Sequence, residues 1–188
     1  MNRCWATVLA LALSQAGALT ITASVTGEVP QGTRVGFWTV NPAGQALEEV
    51  VSAPLTGREL RLALPAQLSP GRSLQPLTPQ NVTWRGVLEP VSLSAQASAA
   101  ELKLFAFADS NLNGVRDPSE ALREVGLVSG REPLFLVWTD RAVTVSAAQG
   151  YRADLIPGWN ALLVAVGRSV VVTPLSNQKL ELRLSLGL

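Results

Sequence analysis

In QKLELRLSL, residues 178–186, Leu180, Leu182, Leu184 and Leu186 occupy every second position, with Glu181, Arg183 and Ser185 between them. A period of two puts all the leucines on one face of an extended chain and the polar residues on the other, a pattern a helix cannot produce. The same alternation recurs in LTITASVTGEV (19–29), TRVGFWTV (33–40), ELRLALP (59–65), NVTWRGVLEPVSLS (81–94) and ELKLFAFAD (101–109). It continues through PLFLVWTD (133–140), AVTVSAA (142–148), NALLVAV (160–166) and RSVVVTP (168–174). These runs are rich in Val, Leu, Thr and aromatic residues and end at Gly, Pro or Asn, as strands do. Many short strands at close spacing predict an all-β chain folded as a β-sandwich. With 47% apolar and 15% charged residues in 188, it has ample material for a core.

Two stretches interrupt the strands. PAQLSPGRSLQPLTPQ (65–80) carries four prolines and reads as an extended surface connection. SAQASAAE (94–101), small and uncharged until its last residue, reads as a linker. A faint echo supports a division there: GFWTV before a turn in the first half, LFLVWTD before a turn in the second. The expected organisation is a leader over 1–18 and two small sandwich subdomains, 19–97 and 98–188, with one continuous sandwich as the alternative.

The leader is MNRCWATVLALALSQAGA: basic Arg3, an uncharged run from Cys4 to Leu13, then Ala16-Gly17-Ala18 as a small-x-small cleavage pattern. The apolar run falls short of the about 20 residues a spanning helix needs. It reads as a signal peptide, so the protein is expected to be exported to a periplasm, a cell envelope or the medium, without a transmembrane segment after cleavage. Cleavage removes Arg3 and the single cysteine, leaving 14 basic and 14 acidic residues and no histidine. A neutral chain whose basic residues are scattered singly has no footprint for nucleic acid.

The same inventory argues against catalysis. Without His or Cys, the Ser-His-Asp, Cys-His and zinc arrangements cannot form. Lys103 and Lys179 sit on the polar side of alternating strands, Glu48 and Glu49 diverge on a strand, and Asp140 and Asp154 suit turns. A carboxylate hydrolase is therefore the third reading, behind two non-catalytic ones.

One segment carries a site. In DSNLNGVRDPSE (109–120), oxygen-bearing side chains fall at loop positions one (Asp109), three (Asn111), five (Asn113), nine (Asp117) and twelve (Glu120), with Gly114 at six. This is the spacing of an EF-hand calcium loop. Calcium takes about six to eight hard oxygen ligands, so a tight loop must turn alternate side chains inward. Gly114 allows the sharp bend, the Val115 carbonyl supplies position seven, and Glu120 closes the site with both oxygens. Arg116 is expected to point outward. Upstream lies a strand rather than a helix, and PSEALREV is expected to start a short helix capped by Asp117. The competing reading is a type I′ hairpin turn centred on Asn113-Gly114, with merely solvated acids. Two of the four Asp that remain after cleavage lie in this loop, which favours the metal.

Over about 20 residues this strand-loop-helix resembles the calcium loops of exported bacterial β-sandwich and dockerin-like proteins. The resemblance implies a structural Ca2+ bound by Asp109, Asn111, Asn113, Val115, Asp117 and Glu120, and no catalytic activity. Residues 21–65, ending in Leu62-Ala63-Leu64-Pro65, resemble transthyretin-like or carboxypeptidase-regulatory modules. That implies an immunoglobulin-like or transthyretin-like sandwich in a non-catalytic accessory role. The expected function is a calcium-stabilised structural or protein-interaction module of the bacterial envelope, with an envelope protein or a glycan as partner. A carbohydrate-binding module is the alternative, using Trp38, Trp84, Trp138, Trp159 and Tyr151 as a platform for sugar rings. Against it, Trp38 and Trp138 lie inside apolar strands, and Trp159 is expected to plug the end of the sandwich. Asn81-Val82-Thr83 also matches a glycosylation acceptor.

Overall fold

The computed structural model describes residues 18–68, 73–176 and 180–183. Residues 1–17 of the expected leader, Lys179, and Leu184 to Leu186 of the last alternating run lie outside them. The strands are β1 (Thr20–Thr26), β2 (Thr33–Val40), β3 (Ala46–Pro54), β4 (Glu59–Ala63), β5 (Gln75–Pro76), β6 (Ser92–Leu93) and β7 (Ser98–Ala108). They continue as β8 (Arg123–Ser129), β9 (Glu132–Thr139), β10 (Val143–Ser146), β11 (Arg152–Leu155), β12 (Gly158–Val166), β13 (Val170–Pro174) and β14 (Leu180–Arg183). The chain is all-β, as the alternation requires.

The strands form three layers. The middle one runs β3-β2-β7-β9-β12-β13, each pair antiparallel. One of its faces presents Val35 and Phe37 of β2, Leu102 and Leu104 of β7, Leu136 of β9 and Leu163 of β12. These pack against Ile21, Ala23 and Val25 of β1 and Leu60 and Leu62 of β4, the inward half of each alternating strand. The opposite face presents Ala99, Phe135, Val137, Leu162 and Val164 to a second core closed by Val143, Val145, Ala153 and Leu155 of the small sheet β6-β10-β11. A strand buried on both faces reads as continuous apolar sequence, which is why LFLVW and ALLVAV lie in the middle layer. β8 belongs to two layers: Leu104↔Val125 joins it to β7, and Leu127↔Leu182 joins it to β14.

Several expectations are corrected. The linker 94–101 runs into β7, where Ala99 and Ala100 pair with Thr139 and Trp138. Ala97, Ala99 and Ala100 are buried, whereas Ser94 to Gln96 stay exposed. The division into 19–97 and 98–188 is not how the strands are distributed. β2 pairs with β7, β1 runs parallel to β14, and β6 pairs with β10, so ladders cross that boundary repeatedly. Residues 81–94 form turns, with Gly86 at φ +79° and only Ser92–Leu93 in a ladder. The alternation survives there because Val82 and Trp84 still point into the second core. The runs read from sequence do not include β3, β5, β8 or β11, the last of which alternates over only four residues. In β3 two register shifts against β2 break the period.

Candidate metal centre

The loop after β7 is placed by β2. Thr33 pairs with Ala108, and the Asp109 N–H then donates to the Gly32 carbonyl at 2.9 Å. A residue with a Cβ at Gly32 would approach the Asp109 carbonyl to 3.0 Å, and φ is +75° there, so glycine lets the two segments close up.

Within the loop, alternate side chains bend back onto the backbone. Asp109 Oδ1 accepts from the Asn113 N–H at 3.0 Å, and its Oδ2 accepts from the Gly114 N–H at 2.9 Å. Asn111 Oδ1 accepts from the Asn113 N–H at 3.1 Å, and Asn113 Oδ1 from the Val115 N–H at 2.8 Å. The Nδ2 groups of Asn111 and Asn113 both donate to Asp117 Oδ2, at 2.7 and 3.4 Å. Glu120 closes the ring: Oε1 accepts from the Ser110 N–H at 2.7 Å and Oε2 from the Asp117 N–H at 3.0 Å. The five predicted side chains thus share one hydrogen-bonded ring. Val115, the sixth predicted ligand, is exposed and joins through its backbone.

Asn113 does not take positive φ, whereas Leu112 (+56°) and Gly114 (+81°) do. A type I′ turn needs positive φ at both Asn113 and Gly114, so the hairpin alternative is excluded. The helix expected over PSEALREV is absent. Its first turn forms, with the Glu120 N–H donating to the Asp117 carbonyl at 2.9 Å and the Glu120 side chain reaching back to Asp117 as in a capping box. Propagation then loses to the sheet, because Arg123 is already paired with Ala106. Arg116, expected to point outward, is partly covered and donates from Nε to the Glu120 carbonyl at 2.8 Å.

Asp109 is 4% exposed and Glu120 7%. The guanidinium of Arg34 stands 3.9 Å from Asp109 Oδ2, beyond a good charge-assisted hydrogen bond. Buried carboxylates call for compensating charge, and each oxygen here keeps a second lone pair after accepting one N–H. The donor set therefore fits a hard divalent cation. Among the described residues no group of three or more His, Cys, Asp and Glu is gathered closely enough to hold a metal. Asn and carbonyl oxygens would have to complete such a site.

The aromatic platform is absent from the described residues. Trp38 is buried edge-on against Phe105 and Phe107, each at 5.9 Å, and Trp84 is buried at a tilt against Phe135 at 5.1 Å. Tyr151 is buried in the second core, and Trp138 is half-buried. Trp159 is 9% exposed and fills the end of the first core, the plug expected of it. Asn81 is held in a turn, Oδ1 accepting from the Thr78 N–H and Nδ2 donating to the Pro76 carbonyl.

Several of the other acids are held by neighbours. Glu48 accepts from Ser73, Asp140 from the Ser98 N–H, and Asp154 lies in β11, where Thr144 and then Arg152 hold its carboxyl below the usual range. Lys103 pairs with Glu124 at 3.1 Å. Sequence reading passed over Glu101, whose carboxyl is pushed up to about 7 by burial and by Glu124, against the opposing pull of Lys103. Its signal is a carboxylate on the β7 face that carries Ala99, Phe105 and Phe107, with Lys103 beside it.

Among the described residues no helix is long and apolar enough to cross a membrane. No family model matches the chain, and neither a curated protein nor a solved structure matches it.

Proposed function

We propose that this is an exported, non-catalytic β-sandwich protein of a bacterial cell envelope or periplasm, stabilised by one calcium ion in the 109–120 loop. It acts through surface contacts with an envelope protein or a glycan. Export rests on the leader-like residues 1–18. The observation that carries the calcium reading is the pair of buried carboxylates, Asp109 and Glu120, whose hydrogen bonds come from backbone amides of the same loop.

Asp109, Asn111, Asn113, Asp117, Glu120 and the Val115 carbonyl would hold the ion. Bound there, it neutralises the buried acids and fixes the chain between β7 and β8, two strands of the central layer. Three carboxylates with two neutral amides place the affinity in the sub-millimolar to millimolar range of extracellular modules.

The test is the thermal midpoint with calcium and with chelator, beside Glu120→Gln, which keeps the side chain's size. A ligand specific for the folded state adds about 2.7 kcal/mol at one hundred times its dissociation constant. An upward shift in the parent protein that Glu120→Gln abolishes supports the reading. Equal midpoints at millimolar calcium would sink it.

A further inference from the structure

The outward face of β7 changes character along its length. Ala99 packs into the second core and Phe105 and Phe107 into a small third cluster with Trp38, but Glu101 and Lys103 lie between them on the same face. The sheet parts at this point. β7 stays with β9 through Leu102↔Leu136, takes β8 from Leu104↔Val125, and β8 and β9 rejoin only at Val128↔Pro133. The opening is a cleft of about 540 Å3, a size typical of small-ligand sites.

Two charges of opposite sign line this cleft without a partner among the described residues. Glu101 makes no hydrogen bond there, and exposed Arg85 makes no ion pair, whereas Lys103 is engaged by Glu124. The charged groups that act on Glu101 are Lys103 on its own strand and Glu124 on β8, and its charge is felt by buried Tyr151. No ion pair joins Arg85 to Glu101, so both charges are left open to a ligand in the cleft.

We propose that this cleft binds a short zwitterionic peptide of two or three residues, its terminal ammonium at Glu101 and its terminal carboxylate at Arg85. A cleft of about 540 Å3 has room for a peptide of two or three residues, and each extended residue adds about 3.3 to 3.6 Å to the reach between its charged ends. A guanidinium matches a carboxylate through two parallel hydrogen bonds. An ammonium beside Glu101 supplies the counter-charge that burial makes it lack, so the affinity falls as Glu101 takes up a proton below about pH 7.

The experiment is calorimetric titration of the folded chain with Ala-Ala-Ala, its N-acetyl derivative and its C-terminal amide. Variants are Glu101→Gln, Arg85→Gln and Gly126→Phe. Gly126 lines the cleft, and a Cβ there meets nothing within 4 Å, so the phenylalanine starts from open space beside the cleft. The free tripeptide should bind at about pH 7.5 and at least about tenfold more weakly once either terminus is blocked or either charge removed. Gly126→Phe should abolish binding while the thermal midpoint stays within a few degrees. No heat with millimolar tripeptide overturns the proposal. Equal binding of the blocked peptides, or binding retained by Gly126→Phe, overturns it too.

Discussion

The indole Nε1 of Trp159 donates to the backbone carbonyl of Pro65 at 2.6 Å, across 94 residues of sequence. It ties the start of β12 to the chain leaving β4 and closes one end of the first core. Trp159→Phe removes the donor and leaves that carbonyl without its partner, at a cost of about 1–3 kcal/mol. Trp159→Ala also empties a core position and should cost about 3–5 kcal/mol. Urea denaturation of the parent and both variants measures the difference, and a Trp159→Phe midpoint equal to the parent's would mean that the hydrogen bond contributes nothing.

Gly36 and Gly126 lie in strands but differ in what surrounds them. A Cβ at Gly36 would collide with the Val51 carbonyl oxygen and approach the Ser52 Cβ to 2.6 Å, whereas one at Gly126 has open space. Gly36→Ala must therefore push β3 off β2, and we expect a loss of about 2 kcal/mol or more, with Gly126→Ala near neutral. Thermal midpoints of the two alanine variants decide it.

Leu112 is 69% exposed and holds φ at +56°, in the left-handed region that favours glycine. Its side chain gains little from burial to offset the backbone strain. Leu112→Gly should raise stability by on the order of 0.5–1 kcal/mol in the calcium-free protein. A fall in the denaturation midpoint would show that the leucine makes a contact worth more than the strain.

Burial raises the Glu101 carboxyl from 4.5 to about 7. A carboxyl whose folded-state value lies above its unfolded value keeps its stabilising contribution below about 4.5 and loses it as pH rises through about 7. The parent protein should therefore lose up to about 3 kcal/mol across that window from this group alone. Glu101→Gln should flatten the slope. Denaturation at several pH values between these limits is the check, and parallel curves for the two proteins would refute it.

A leader-like run and a ligand spacing are patterns of consecutive residues, so the expectations drawn from them need no fold. The alternation of LTITASV and ELRLA was also enough to say which side chains go inward. Where the sequence misled, a distant partner had changed the meaning of a local pattern. SAQASAAE has the composition of a linker, but Ala99 lies between two layers, where nothing larger than a small side chain is needed. PSEALREV carries helix-start signals, and it ends after one turn because β7 offers Arg123 a ladder.

The sequence by itself determined the fold class and the inward set of each alternating strand, because side-chain period is a local property of an extended chain. Only the tertiary structure decided that β1 lies beside β14, that the middle layer is covered on both faces, and that Glu101 and Arg85 line one cleft. Those relations come from pairing and packing between residues far apart in the chain. Their energies depend on which surfaces meet, and no stretch of sequence specifies that by itself.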